Sequence, residues 1–258
     1  QQGLLCLVYY GYDDDLMGHP DTNMSVASWM QKIYNEVNVS SAPAPTPAPT
    51  PAPTPISIQP VGQSGAYALT FSDEFSGTSL DRTKWNDAIW YQQSDSRINY
   101  EVSGGTLKIW PVSPFVDRTI DTDGKFHQTY GFYEMYAKLP IGKGCWPAFW
   151  LYAHPADSRP ELDIMEAYSG GEAAGHPGWS DSRLHPINYG MTIHKANADY
   201  TWHEVSYARK LRDFSPYQGG VDLSAAFHVY GMKWEPSGVT FYFDRQQVGQ
   251  KGGDSDNY

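Results

Sequence analysis

The chain of 258 residues is long enough for one large domain or two small ones, and 40% of its residues are hydrophobic, so it can bury a sizeable core. Its formal net charge of −11 argues against nucleic acid or an anionic membrane as a partner, because both are bound by clustered Lys and Arg. Aromatic residues make up 15% of the chain, with nine Trp and nineteen Tyr, which is more than core packing alone requires.

The chain starts with an apolar run, LLCLVYY, which has no basic region before it and no cleavage site after it, so we do not interpret it as a signal peptide. All apolar runs are shorter than the ~18 residues that span a bilayer. The segment 24–36 suits a helix and a strand equally well. The two cysteines, Cys6 and Cys145, form neither a disulfide framework nor a metal motif, and both one disulfide and two free thiols are open.

Residues 42–57 are a linker in which proline alternates with Ala and Thr. Such a sequence joins neither a sheet nor a helix, and it favours an extended polyproline II rod. Linkers rich in Pro and Thr are typical of exported proteins with several modules, so this composition indicates a secreted or extracellular protein.

From residue 68 onwards the sequence predicts β-strands almost throughout. Short runs rich in β-branched and aromatic residues are separated by clusters of Gly, Pro and Asp. Many short strands with frequent turns are typical of an all-β sandwich of two antiparallel sheets. The predicted strand-forming runs are 68–75, 98–111, 131–140, 146–152, 189–195 and 238–248.

Three carboxylates, Glu161, Asp163 and Glu166, lie in an otherwise apolar run, ELDIMEAY. The run alone favours a helix, but a proline and a glycine bracket it closely and its neighbours are strands, so we predict a strand. In a regular strand Glu161 and Asp163 would share one face and Glu166 would point to the other. One extra residue, expected at Met165, would form a β-bulge and bring all three acids to one face, with Ile164 in the core.

This arrangement of acids predicts a retaining glycosidase. Such an enzyme uses two carboxyl groups ~5–5.5 Å apart, one as nucleophile and one as acid/base. Two glutamates four strand steps apart, about 13 Å between Cα atoms, can lean together over a central aspartate and close most of that gap. A calcium site and a solvated acidic edge are the alternatives from spacing alone. The abundant Trp and Tyr favour sugar binding, because sugar faces stack on aromatic rings.

Several segments together resemble glycoside hydrolase family 16, in order and in approximate spacing. The resemblance covers about residues 66–248, and ELDIME after WPAFW is a highly specific pair. It implies a β-jelly-roll sandwich whose concave sheet forms a sugar-binding cleft, and endo-hydrolysis of β-linked glycans with retention. The segments are FSDEF (71–75), TKW (83–85), YGFYEMYAKLPIGKGCWPAFWLY (130–152), ELDIMEAY (161–168) and FHVYGMKWEPSGVTFYFD (227–244).

The resemblance implies a role for each acid: Glu161 as nucleophile, Glu166 as acid/base and Asp163 as the helper between them. The spacing E-x-D-x-x-E is similar to that of the laminarinase, agarase and carrageenase branch of the family. Trp146 and His194 match positions that usually line the cleft. The further candidates for substrate binding are Trp90, Tyr91, Asn99 and Trp150.

The resemblance implies a monomer that acts on a polysaccharide and requires neither a cofactor nor a catalytic metal. The family often holds a structural calcium through an aspartate in its last strand, and Ala27 or Ser28 occupies that position here. Phe132 and Tyr136 replace two residues that are usually basic in the family.

The expected substrate is β-1,3-glucan of the laminarin type or a β-1,3/1,4-glucan. Alternatives within the family are a bacterial exopolysaccharide and the galactans agar and carrageenan. An alternative from another class is a carbohydrate-binding sandwich that does not cleave its ligand. The intact set of three acids argues against that alternative.

The order of segments along the chain indicates a circular permutation. The family domain normally continues beyond the strand that ends near residue 244, and residues 1–41 resemble the missing C-terminal strands placed first. We therefore expect residues 42–57 to link them to residues 58–258, the main part of the same catalytic domain. The alternative assigns residues 1–41 to a separate module, which would leave an open sheet edge.

Overall fold

The computed structural model describes ten ranges of the chain, and every structural statement below refers to them. They contain fourteen strands and two 3-10 turns, and none of their helical segments is long and apolar enough to cross a membrane. The ranges are 3–11, 60–65, 67–89, 99–110, 118–142, 145–153, 160–169, 180–181, 186–196 and 203–252.

The strands are numbered in chain order. They are β1 Gly3–Gly11, β2 Tyr100–Ser103, β3 Thr106–Ile109, β4 Arg118–Asp121, β5 Gly131–Ala137, β6 Cys145–Ala153, β7 Glu161–Glu166, β8 Tyr168–Ser169, β9 Ser180–Asp181, β10 Gly190–Ala196, β11 His203–Lys210, β12 His228–Glu235, β13 Gly238–Phe243 and β14 Gln246–Gly252. The 3-10 turns are Leu211–Asp213 and Tyr217–Gly219.

Two antiparallel sheets form the body of the molecule, so the predicted all-β sandwich is confirmed. The larger sheet has the strand order β11-β10-β7-β6-β1-β4, and the smaller has the order β14-β13-β12-β5. Two small pairs, the hairpin β2-β3 and the parallel pair β8-β9, lie outside these sheets. The segment 24–36 and the linker 42–57 lie outside the described residues.

The main core is formed by the facing sides of the two sheets. Alternate residues of each strand share one face, and those turned toward the opposite sheet are large and apolar. From the larger sheet they include Phe149, Leu151, Leu162, Met191 and Ile193, and from the smaller sheet Tyr133, Tyr230, Met232, Trp234, Phe241 and Phe243. The other side of the six-stranded sheet, called the outer face below, is therefore free to carry polar side chains.

Residues 68–75 were expected to form a strand, and the structure corrects this. The carboxylate of Asp73 accepts hydrogen bonds from the backbone N–H of Phe75 and from the indole N–H of Trp85, both at 2.8 Å. Phe75 has a φ of 47°, which turns the chain out of an extended conformation. Local side-chain bonds therefore replace strand pairing here, and the rings of Phe71 and Phe75 pack on Trp85 in a second, smaller core.

Strand β1 lies between β6 and β4 and is paired with both. Its register places Gly11 opposite Cys145 and Cys6 opposite Trp150, five residues further along β6. Five residues of strand correspond to about 16 Å, whereas a disulfide requires Cα atoms within ~7 Å. The two cysteines therefore do not form a disulfide with each other, and Cys145 is buried.

Strand β7 contains the bulge that the acid spacing predicts. Trp150 of β6 pairs with Asp163, but the next residue, Phe149, pairs with Met165, which leaves Ile164 without an opposite residue. The register against β10 shifts in the same part of β7. The inserted residue is Ile164 rather than Met165, because Met165 remains in register with β6.

Deleting Ile164 tests whether it is the extra residue of β7. The shortened sequence ELDME alternates regularly, so all three acids should stay on the outer face without a bulge. We expect the free energy of unfolding, measured by urea denaturation, to fall by about 2–5 kcal/mol, the usual cost of losing one large buried apolar side chain. Deleting Leu162, which is equally buried, forces one acid toward the core and should cost more, because the carboxyl group is then buried without a partner. Equal losses in the two deletion variants would contradict this explanation of the bulge.

Candidate active site

The bulge places all three acids on the outer face of the six-stranded sheet. Directly opposed residues of an antiparallel pair point to the same face, and β6 is a regular strand whose alternate residues share that face. The partners of Glu161, Asp163 and Glu166 on β6 are Tyr152, Trp150 and Ala148. The two glutamates are thus four strand steps apart, about 13 Å between Cα atoms, with the aspartate between them.

Asp163 is the most buried of the three acids, with 2% of its surface exposed. Its Oδ2 atom lies 3.1 Å from Nε2 of His194 on the neighbouring strand β10. Burial raises the pKa of Asp163 well above its ordinary value, and the charges of Glu166 and Glu161 raise it further. A hydrogen bond to Glu166 acts in the same direction, so Asp163 favours the protonated form and can share its proton with Glu166.

Glu166 receives two hydrogen bonds on a single oxygen. The indole N–H of Trp146 donates to Oε1 at 3.0 Å, and the phenol O–H of Tyr168 donates to the same atom at 3.1 Å. Burial raises the pKa of Glu166, and the bonds from Trp146, Tyr168 and Asp163 offset part of that increase. A carboxyl group whose pKa is raised in this way is suited to general acid catalysis.

Tyr168 acts as a hydrogen-bond donor at this site. Burial and the charge of Glu166 raise the pKa of its phenol, so the hydroxyl group keeps its proton. The sequence prediction gave Tyr168 no role, although it is two residues beyond Glu166 in a strand-like run. Alternation along a strand would have placed the two side chains on one face.

The remaining predicted residues fall into three groups. Trp146, His194 and Trp150 lie beside the acids, and the indole N–H of buried Trp150 has no hydrogen-bond partner among the described residues. Asn99 is fully buried, its Oδ1 accepts a hydrogen bond from Nε of Arg118 at 2.6 Å, and its amide donates to the backbone carbonyl of Trp110. Trp90 and Tyr91 lie outside the described residues.

Three side chains at the site have ligand atoms close enough together to bind one cation. Donor atoms of Glu161, Asp163 and His194 all lie within 4.8 Å of one another. Metal ligands must be deprotonated, whereas burial and the neighbouring carboxylates raise the pKa of Asp163 and favour its neutral form.

Comparison with known proteins gives two related curated enzymes. An endo-1,3-1,4-beta-glycanase of Rhizobium meliloti is 27% identical over 191 residues, which cover 69% of this chain and 36% of the relative. A glucan endo-1,3-beta-glucosidase of Niallia circulans is 28% identical over 213 residues, covering 68% of this chain and 28% of the relative. The chain thus spans about a third of the length of these relatives.

The fold is similar to that of a solved laminarinase from Rhodothermus marinus, with a TM-score of 0.51 and 24% identity over 72% of this chain and 74% of that chain. At this identity the likeness concerns the jelly-roll fold alone. The sequence model of the family described as glycosyl hydrolases family 16 matches residues 87–257, which is more than half of the chain. The protein therefore belongs to glycoside hydrolase family 16.

Proposed function

We propose that the protein is a retaining endo-β-glycanase that hydrolyses a β-1,3-glucan of the laminarin type or a β-1,3/1,4-glucan. The observation that carries the proposal is the placement of Glu161, Asp163 and Glu166 on one face of a bulged strand. Placing three acids close together, one of them fully buried, opposes folding, and double displacement at a sugar gives each acid a function.

In the first step the carboxylate of Glu161 attacks the anomeric carbon while Glu166 protonates the departing glycosidic oxygen. A covalent glycosyl-enzyme forms, and the half of the chain that leaves carries the proton from Glu166. In the second step Glu166 removes a proton from water, whose oxygen attacks the anomeric carbon and releases Glu161. Asp163, in contact with Glu166 and His194, adjusts the local charge between the two steps.

Aromatic and polar side chains on the outer face support a sugar ligand. Trp146 and Trp150 alternate on β6 beside the acids, and the hydroxyl group of buried Thr192 has no hydrogen-bond partner among the described residues. Buried polar groups rarely stay unpaired, so the Trp150 N–H and the Thr192 O–H are available to sugar hydroxyl groups. His194 would contribute at the same end of the site as Glu161, its opposed residue. By their names the relative from Rhizobium meliloti is an endo-1,3-1,4-beta-glycanase and the relative from Niallia circulans is a glucan endo-1,3-beta-glucosidase, and the second name favours a 1,3-linked glucan.

We further propose that residues 1–41 and 58–258 form one permuted catalytic domain joined by the linker 42–57. The pairing of β1 with β6 along nine residues, and with β4 along four, supports this arrangement. We also propose that the enzyme is secreted, acts as a monomer and needs no cofactor.

Glu161→Gln tests the assignment of the nucleophile. Release of reducing ends from laminarin should fall by roughly 10⁴-fold or more, because an amide cannot form the glycosyl-enzyme. Glu166→Gln should lose about 10²- to 10⁴-fold, the usual contribution of general acid catalysis. A panel of laminarin, mixed-linkage glucan, agarose, carrageenan and bacterial exopolysaccharide identifies the substrate.

The control is Tyr189→Phe, a buried change in the core on the other side of the sheet, which should retain activity. Unchanged activity in Glu161→Gln would rule out Glu161 as the nucleophile. Binding of laminarin with no cleavage by the unaltered protein would favour the carbohydrate-binding alternative.

Asp163→Asn tests whether the acid set opposes folding. The folded protein holds the Asp163 proton more tightly than the unfolded chain, so the stability that this group contributes is greatest below about pH 4 and falls as the pH rises toward the raised pKa. Asparagine does not titrate, so the variant should gain stability relative to the parent with rising pH, by at most about 1.4 kcal/mol per pH unit, while losing activity.

Urea denaturation between pH 4 and pH 8 measures the effect. The exposed Glu235, replaced by Gln, serves as the control and should leave the pH dependence close to that of the parent. If the free energy of unfolding of Asp163→Asn falls relative to that of the parent as the pH rises, the assignment of a raised pKa to Asp163 is wrong.

A further inference from the structure

The two hydrogen-bond donors that reach Glu166 from outside β7 approach the same oxygen. Trp146 and Tyr168 both donate to Oε1, at 3.0 and 3.1 Å. An indole nitrogen can only donate, and the phenol of Tyr168, which stays protonated at this site, donates its O–H to the same atom, so Oε1 is the acceptor in both bonds. A proton on the carboxyl group therefore belongs on the other oxygen, Oε2.

The position of Tyr168 is restrained from three sides. Its strand, β8, pairs in parallel with β9, and the backbone N–H of the preceding residue, Ala167, donates to the carbonyl of Pro147 at 3.1 Å. Its ring packs against Trp146 with the centroids 4.9 Å apart. The residue is 3% exposed, so the direction of its hydroxyl group is held by packing as well as by the bond to Glu166.

The titratable groups that face Glu166 lie on three strands. Asp163 and Glu161 are on β7, Tyr168 is on β8, and His194 on β10 contacts Asp163. The residues directly opposite Glu166 are Ala148 on β6 and Gly190 on β10, neither of which titrates. Among the described residues, Tyr168 is thus the only titratable group outside β7 that donates a hydrogen bond to Glu166.

We propose that Tyr168 is a positioning residue that, with Trp146, reserves Oε1 of Glu166 as an acceptor, so that Oε2 carries the catalytic proton. This inference rests on the proposed function, because it assumes that Glu166 is the acid/base. In glycosylation the O–H bond at Oε2 breaks as the glycosidic oxygen gains the proton. In deglycosylation Oε2 regains a proton from the attacking water, so the same oxygen serves both steps and Oε1 does not change its partners.

Tyr168→Phe tests the proposal through the pH profile of kcat/KM on laminarin. Removing one hydrogen bond to the charged form raises the pKa of Glu166, and the enzyme needs Glu166 protonated for the first step. The basic limb of the profile should therefore move to higher pH by about one unit, while KM changes little. Trp146→Phe removes the other donor to Oε1 and should move the limb in the same direction.

The matched control is Tyr230→Phe, which removes the hydroxyl group of a buried tyrosine in the core. That hydroxyl group has no hydrogen-bond partner among the described residues, so the limb should stay in place. An unmoved limb in both Tyr168→Phe and Trp146→Phe, or an equal shift in Tyr230→Phe, would overturn the proposal.

Azide rescue separates this inference from the proposed function. Glu166→Ala should regain turnover of an aryl glycoside in azide and yield a β-glycosyl azide, because azide replaces the water that Glu166 activates. Failure of that rescue would overturn the acid/base role of Glu166 and the inference with it. Successful rescue with an unmoved limb in the two donor variants would overturn the role of Tyr168 alone.

Discussion

A carboxylate is unfavourable in the apolar core between two sheets, and this constraint determines the path of β7. Each residue of a strand faces either the core or the outer side of the sheet, so a strand with acids at odd spacing must lose its regular alternation. The extra residue, Ile164, turns Glu166 away from the core and keeps Ile164 and Met165 within it. The outer face thereby acquires three acids without losing an apolar contact underneath.

Placing the three acids together raises the pKa values of Asp163 and Glu166, and the surrounding side chains affect the two groups differently. Asp163 is buried between two other carboxyl groups and responds by favouring its neutral form, while His194 lies within reach of its oxygen. Glu166 is also desolvated, yet two fixed donors partly stabilise its charge. Neighbouring carboxyl groups with different environments are what an enzyme needs to assign proton transfer to one and charge adjustment to another.

Most of the architecture follows from local patterns, and the failures have identifiable causes. Strand periodicity predicts the ends of β6 and β10 within one residue and those of β5 within three, and the spacing of the three acids predicts the bulge. The alternating pattern predicts a strand at 68–75, but no strand forms there because the carboxylate of Asp73 accepts hydrogen bonds from nearby N–H groups. The burial of Asn99 beside Arg118 depends on a contact between residues 19 positions apart, and no local pattern specifies it. The contact of Tyr168 with Glu166 follows from the alternation rule, because residues two positions apart in a strand share one face.

The central claim is that Glu161 and Glu166 act by double displacement on one face of the bulged strand. The most direct test is to follow the anomeric configuration of the newly formed reducing ends by proton NMR during the first minutes of laminarin hydrolysis. Two successive inversions at the anomeric carbon predict that the β-anomer appears first and that the α-anomer grows only later by mutarotation. Initial release of the α-anomer would mean a single displacement by water and would contradict the account.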